Sequence, residues 1–360
     1  VVVGAGPSLD VTLPLIKEGF DRPLVIAADS ALQALLSHGI SPDFVVNIDP
    51  EKSLQSCGSP AVFPGIAILS SQSHPSWREA WGENVRYLSG RVLTEDWLAQ
   101  KGVEKTALHA INNAGLPALL LADFLGSGAI MLLGMDLSSE SSDKPRYAKS
   151  TGREHMEIIS STYHKIPGNH HETVTTPFLS DWKETSEHCA AVASRRYLIN
   201  LNDRGARLEG SVVIHPDKIV ALRDTLSENL RPIERGPNPL GSSDSPKNIE
   251  IDPIWRLLAI RCDEIWAFMN TLSSRKDLAG ADGKLQFFRA LMGQQEHATL
   301  LGDYSFGLMP SIMPGKNPTD SQLDRWISEL RQILWLLEDA LVATESPDNC
   351  LGDFLAKLMN

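Results

Sequence analysis

The sequence predicts an α/β fold: a Rossmann-like, mostly parallel sheet with helices on both faces, followed by an all-α C-terminal domain. Three observations carry this. Short apolar runs alternate with turns and helical patterns through the first part of the chain. A stretch rich in proline, glycine and serine then interrupts it. Beyond that stretch the apolar residues keep helical spacing.

In order, Val1–Val3 leads into the turn Gly4–Asp10 and a helix to about Lys17. Leu24–Ala28 leads into Asp29, Ser30 and a helix through Leu36, and Phe44–Ile48 leads into Asp49-Pro50. Ile66–Ser70 and Arg86–Leu88 read as further strands. Leu116–Leu125 reads as a helix and Ile130–Leu133 as a buried strand ending in Gly134-Met135-Asp136. Short runs of this kind, separated by helices, suit a parallel sheet covered on both faces. Ser138–Thr173 breaks the rhythm. It is polar and holds Lys144, Arg146, Lys149, Arg153 and Lys165 with His155, His164, His170 and His171, the composition of a functional lid or a disordered loop. Thr176-Pro177 predicts a helix start with proline at the first helical position, and Phe178, Trp182, Cys189 and Val192 then share one helix face. Tyr197–Leu201 and Ser211–Ile214 read as strands joined by Asn202–Gly210.

Pro232, Pro237, Pro239 and Pro246, with intervening glycine and serine, mark residues 228–250 as a linker. The expected organisation is therefore a Rossmann-like domain over 1–227, the linker, and a helical domain over 251–360. In that helical part Thr319 and Gln322 have the spacing of a capping box. Leu323, Trp326, Ile327, Leu330, Leu334, Leu337 and Leu341 follow on one face, and Trp255, Leu258, Ile265 and Phe268 suggest an earlier helix. Apolar faces of this length require helical partners, so a small bundle is expected.

A chain of 360 residues exceeds one compact core, in keeping with two domains. Its formal net charge of −12 argues against a nucleic-acid partner, yet a pocket on an acidic protein can still be locally positive. No apolar run approaches the ~18 residues that mark a bilayer span. Cys57, Cys189, Cys262 and Cys350 are scattered without a CxxC pair, as expected of reduced thiols in a cytoplasmic protein. Val1 falls inside a predicted strand, so further residues are expected upstream.

The candidate chemistry begins at Gly4-Ala5-Gly6-Pro7-Ser8-Leu9-Asp10. Small residues let backbone approach a phosphate, the N–H groups of a helix start favour an anion, and Ser8 adds a hydroxyl donor. The loop lacks the third glycine of the dinucleotide fingerprint and the lysine of a Walker loop. A tight strand-to-helix turn that needs glycine for sterics alone is the competing reading. Asp29, Asp49 and Asp136 each follow a predicted strand, where an open parallel sheet has its ligand crevice. Each suits a ribose hydroxyl, a substrate amine or Mg²⁺, and each equally suits a helix cap. Asn112 and Asn113 have amides that read a base or sugar, or that cap the Leu116 helix. The histidines match no zinc spacing. One of them would suit a general base. Tyr147 and its basic neighbours are placed to close over phosphates.

Val2–Asp10, Ala28-Asp29-Ser30-Ala31-Leu32 and Gly39–Pro50 together resemble the motility accessory factor family, whose domain is shared with archaeal 6-hydroxymethylpterin diphosphokinases. Leu133–Leu137, Val174-Thr175-Thr176, Ile199-Asn200 and Gly205–Gly210 follow in the same order, so the resemblance spans residues 1 to about 215. It implies a Rossmann-like domain related to bacterial sialyltransferases. It also implies transfer of a nonulosonic acid from a CMP donor to flagellin Ser/Thr. On that basis Gly4, Gly6, Pro7, Ser8, Asp29, Asp49, Asn112, Asn113 and Gly134 are assigned to the nucleotide. Asp136 is assigned to catalysis and Tyr147 to the substrate loop, with Asp49 and Asp136 as the ligands if Mg²⁺ is used. The chain departs from the family at Asn112–Gly115, where a Gly-Gly-Ser-Val run is usual, and at Ser139–Pro145, which replaces a Tyr-Thr and Gly-rich stretch. Two alternatives stand beside this reading: an ATP/Mg²⁺-dependent pyrophosphoryl transferase acting on a pterin alcohol, and a non-catalytic protein that binds nucleotide or flagellin.

Overall fold

In the computed structural model, the described residues are 1–18, 23–58, 65–103, 105–139, 145–156, 160, 162–219 and 251–345. The 228–250 linker of the sequence reading lies outside them. Two compact units form. The first comprises Val1–Arg91 with Thr106–Ser243, and the second Val92–Lys105 with Asp244–Asn360.

The strands of the first unit are β1 (Val2–Val3), β2 (Ile26–Ala28), β3 (Phe44–Asn47), β4 (Ile66–Leu69), β5 (Val85–Tyr87), β6 (Ala129–Leu133), β7 (His164–Pro167), β8 (Thr173–Thr176), β9 (Tyr197–Asn200) and β10 (Val212–Val213). Its helices are α1 (Leu9–Thr12), α2 (Leu15–Glu18), α3 (Leu32–Ser37), α4 (Leu54–Cys57), α5 (Pro75–Trp81), α7 (Gly115–Phe124) and α8 (Leu179–Ala193), while α6 (Leu93–Gln100) belongs to the second unit. Eight strands form one sheet in the order β10-β9-β6-β1-β2-β3-β4-β5, with every pairing parallel. Successive strand residues point to opposite faces. Val3, Ala27, Val45 and Leu133 therefore enter one core with Leu9, Leu35 and Trp77. Val2, Ile26, Val46 and Leu132 enter another, under Leu116 and Leu119 of α7 and Val192 of α8. This is the doubly covered parallel sheet that the apolar runs predict.

Three local expectations are corrected. The helix expected from the glycine loop to Lys17 is two single turns, since Pro14 lies between α1 and α2 and has no N–H for a continuing ladder. The helix expected at Thr176-Pro177 begins at Leu179 instead. Thr176 closes β8, pairs with His164 and accepts the Phe178 N–H on its hydroxyl at 2.9 Å. The polar stretch expected as a lid or disordered loop contains the antiparallel β7–β8 hairpin and a buried Tyr147.

The second unit is helical, with α9 (Ile251–Ser274), α10 (Ala281–Met292), α11 (Gln295–Leu300), α12 (Gly302–Ile312) and α13 (Asp320–Glu345). Leu258, Ile265, Phe288, Leu323, Leu330 and Leu334 share its core. Trp97 of α6 is buried in that core, and its indole N–H donates to Glu296 at 3.2 Å. The Val92–Lys105 segment thus interrupts the α/β sequence but packs with the bundle. The capping box forms as its spacing predicts: the Thr319 N–H donates to Gln322 Oε1 at 2.9 Å and the Gln322 N–H to Thr319 Oγ1 at 3.3 Å. Thr319→Ala is expected to cost the helical unit about 1 kcal/mol. Its thermal midpoint measures this, and an unchanged midpoint would mean that the box does not form in solution. Cys57, Cys189 and Cys262 are buried free thiols. Among the described residues, no helix is long and apolar enough to cross a membrane.

Candidate functional site

The strand order places the topological switch between β1 and β6. From β1 the chain builds outward to β5, then returns to lay β6, β9 and β10 on the other side. Loops leaving two such strands diverge, and a crevice opens at their carboxyl ends. A cavity of about 130 Å³ lies there. Gly4, Gly6, Asp29, Asn113, Gly134, Asp136 and Tyr147 of the sequence-predicted set line it, together with Lys52, Arg146, Phe178 and Asp181. Pro7 lines a neighbouring cavity, while Ser8, Asp49 and Asn112 line neither.

The glycine loop is built differently from a phosphate cradle. The Gly4 N–H donates to the Leu133 carbonyl at 2.7 Å and the Gly6 N–H to the Gly134 carbonyl at 2.8 Å. The Ser8 N–H donates to Asp136 Oδ2 at 2.8 Å, and the Ser8 hydroxyl donates to Asp136 Oδ1. The donors that the sequence reading offered to a phosphate are therefore committed to the end of β6. The following helix, α1, is a single turn, too short to focus a helix dipole on an anion. A Cβ on Gly6 would stand 2.9 Å from the Asp136 Cβ and Cγ. On Gly134, where φ is +65°, it would stand 2.9 Å from the Gly4 carbonyl carbon. These glycines are needed so that two backbones and a carboxylate can meet.

Asp136 is the centre of that meeting. It is 2% exposed, and burial pushes its carboxyl up to about 7, with neighbouring Asp203 adding to the rise while the Ser8 bonds and Arg204 oppose it. It lines both the crevice and a larger cavity of about 900 Å³ on its other side. A buried carboxyl that titrates near neutrality, with openings on two sides, is suited to proton transfer.

Asp29, also buried, is fully occupied. Its Oδ1 accepts from the Ser30 N–H at 2.6 Å and the Ser30 hydroxyl at 3.0 Å, and its Oδ2 from Asn47 Nδ2 at 3.0 Å. Lys52 Nζ completes the shell at 3.3 Å from Oδ1. Asp29 thus holds Lys52 at the crevice wall rather than presenting a free carboxylate to a ribose. Asp49 lies 3.6 Å from the same ammonium and accepts the Glu51 N–H at 2.9 Å, the geometry of a turn residue. Burial pulls the Lys52 ammonium down, but Asp29, Tyr147, Asp49 and Cys57 together hold it above the ordinary lysine value. Lys52 is fully charged at neutral pH.

The two asparagines separate. Asn112, with φ of +38°, donates its amide to Glu184. Asn113 Oδ1 accepts the Leu116 N–H at 3.1 Å, capping the start of α7, while the residue lines the crevice. Tyr147 is buried, with the Arg146 guanidinium 4.6 Å and that of Arg153 5.2 Å from its ring centroid. Arg146 also lies 5.0 Å from the Phe178 ring centroid. Asp181, beside it, has its carboxyl raised, by burial first and by Glu184, against the pull of Arg146 and Lys52. Lys52 and Asp181 were missed by the sequence reading. Lys52 carried a faint signal, three residues after a strand-end aspartate, whereas Asp181 depends on where α8 lies.

Among the described residues, no group of three or more His, Cys, Asp or Glu side chains converges as a metal site. Asp49 and Asp136, paired in sequence as Mg²⁺ ligands, face different partners, Lys52 and Ser8.

Fold and crevice together define a doubly wound parallel α/β protein with a crevice open at the switch point. Residues 1–142 match the family model described as 6-hydroxymethylpterin diphosphokinase MptE-like. The fold is similar to a solved structure described as the MAf glycosyltransferase from Magnetospirillum magneticum AMB-1, with a TM-score of 0.53 and 17% identity. That similarity covers 98% of this chain and 56% of the other, so this chain spans little more than half of that structure. No curated protein sequence matches significantly. The pterin-diphosphokinase-like resemblance, read first from motifs, thus recurs in the family model over residues 1–142, and the likeness to motility accessory factors recurs in the fold.

Proposed function

We propose that the chain is a nucleotide-sugar-dependent glycosyltransferase, moving a nonulosonic acid from a CMP donor to serine or threonine of flagellin. The observation that carries this is the pair of cations, Lys52 and Arg146, on the wall of a switch-point crevice that also holds Asp136. In this reading Lys52 and Arg146 meet the phosphate of CMP, a role the glycine-loop donors cannot take. The acceptor hydroxyl oxygen attacks the anomeric carbon, the carbon–oxygen bond to phosphate breaks, and CMP leaves with the electron pair. Asp136 takes the hydroxyl proton. The cations offset the charge gathering on the leaving phosphate.

The match of residues 1–142 to an MptE-like model favours a second reading, pyrophosphoryl transfer from ATP with Mg²⁺. Thermal shift with CMP, CMP-N-acetylneuraminic acid and ATP/Mg²⁺ separates the two. Stabilisation by the CMP compounds is expected, and stabilisation by ATP/Mg²⁺ alone would overturn the glycosyltransferase reading. No shift with any nucleotide would favour a non-catalytic protein. Lys52→Gln keeps a donor for Asp29 but removes the charge. It is expected to weaken CMP binding about tenfold. Unchanged affinity by titration calorimetry would place the phosphate elsewhere.

A further inference from the structure

We propose that the outer face of α13 is a self-association surface whose partner is a second copy of this chain, packed antiparallel about Trp335. The inference uses only the helical unit and stands whether or not the catalytic reading holds.

The two sides of α13 differ from what one packed face requires. Leu323, Leu330 and Leu334 turn inward and are fully buried in the core of the bundle. The opposite side of such a helix is ordinarily polar. Here Trp335 is 56% exposed, Leu336 69% and Val342 41%. Trp335 and Val342 lie about two turns apart, so they share one stripe, with Leu336 beside them. An isolated exposed apolar residue is ordinary, but a tryptophan, a leucine and a valine on one stripe form a patch of the kind that meets a partner. Tryptophan is also a side chain that commonly anchors the centre of an interface.

Charge selects the partner and its direction. Arg331 and Asp339, both exposed, stand about one turn before and one turn after Trp335. When two copies of α13 pack antiparallel with a two-fold axis at Trp335, each position before the tryptophan faces the equivalent position after it. Arg331 of each copy then faces Asp339 of the other, and the contact occurs twice because a two-fold interface is reciprocal. No like charges oppose one another in this register: Glu338 faces Gln332, and Val342 faces Ser328. A parallel pair would instead set arginine on arginine and aspartate on aspartate, which repel. Arg331 donates to the Ser273 hydroxyl at 3.4 Å, a long bond that leaves its guanidinium able to meet a carboxylate. A lipid surface suits this helix less well. Its acidic residues outnumber Arg325 and Arg331, whereas a helix lying on a membrane carries a basic polar face. One helix pair buries little surface, so the dimer is weak, with a dissociation constant on the order of 10 μM.

Sedimentation velocity on the whole chain tests this. The wild type is expected to pass from a 39.4 kDa monomer to a dimer as its concentration rises through about 10 μM. Trp335→Ser is expected to weaken the dimer about thirtyfold. Phe306→Ser, at a 74% exposed residue of α12, is the control and should leave association unchanged. Arg331→Asp and Asp339→Arg should each weaken self-association about tenfold or more. An equimolar mixture of those two variants should regain it, because every facing pair in the mixed dimer again joins opposite charges. Damage to the fold by either substitution would not be repaired by mixing. A wild type that stays monomeric at about 100 μM, a concentration well above the expected dissociation constant, would overturn the proposal. So would a dimer that survives Trp335→Ser, one lost in Phe306→Ser instead, or a mixture that remains monomeric.

Discussion

Replacing Gly6 with alanine is expected to destabilise the first unit by about 2 kcal/mol or more, the usual cost of forcing atoms into a packed site. The added Cβ would fall 2.9 Å from the Asp136 Cβ and Cγ, and the glycine loop would have to leave the end of β6. Ser8 would then lose its bonds to a carboxyl that has few other partners at that depth. Calorimetric unfolding should show the α/β transition lowered and the helical transition unmoved. The cause is checked by a double-mutant cycle. If Asp136 is the obstacle, Gly6→Ala should cost less in an Asp136→Gly background, with a coupling of about 1–3 kcal/mol. Additive effects would show that the glycine serves something other than the meeting with Asp136. A phosphate-cradle glycine makes a different prediction: loss of nucleotide affinity at unchanged stability, whatever stands at position 136.

That contrast shows what was legible in the sequence. The strands could be read because a sheet buried on both faces needs continuous apolar runs, as in Phe44–Val46 and Ala129–Leu133. Their carboxyl ends, and so the location of the crevice, followed from the same rhythm. The helical unit could be read because Thr319 and Gln322 cap a long apolar stripe. The partners of each polar group could not be read. Asp29 and Asp136 look alike in sequence, each an aspartate after a strand. One is saturated by Ser30, Asn47 and Lys52, and the other is held by a serine from a loop 128 positions earlier. Such pairings are set by strand order, and strand order has no local signature. For the same reason α6 could not be assigned to the helical unit: its Trp97 meets Glu296 only after the chain has returned.

Asp136→Asn is expected to remove a pH dependence of stability that the wild type carries between about pH 4 and pH 7. Burial raises the Asp136 carboxyl to about 7 in the folded protein, against an ordinary aspartate near 3.9 when unfolded. In that window the folded chain keeps a proton that the unfolded chain has released, so stability is greatest at the acid end and falls as pH rises through the folded value. A difference of about three units amounts to roughly 4 kcal/mol across the window. Asp10, Asp123 and Asp203 are shifted downward and act in the opposite sense, so the informative quantity is the wild type minus Asp136→Asn. Urea unfolding at a series of pH values should give a difference curve that falls between pH 4 and pH 7 and then levels. A flat curve would mean that Asp136 is ionised throughout, a fixed anion tying Ser8 to β6 and no proton acceptor. The same titration should appear in catalysis, because a base with a value near 7 gains its acceptor form over the range where the rate is measured. The wild-type rate should rise with pH through that value, and Asp136→Asn should lose the inflection and most of the turnover while retaining CMP affinity. Equal loss of turnover and affinity would make Asp136 a positioning residue, acting through the glycine loop it holds.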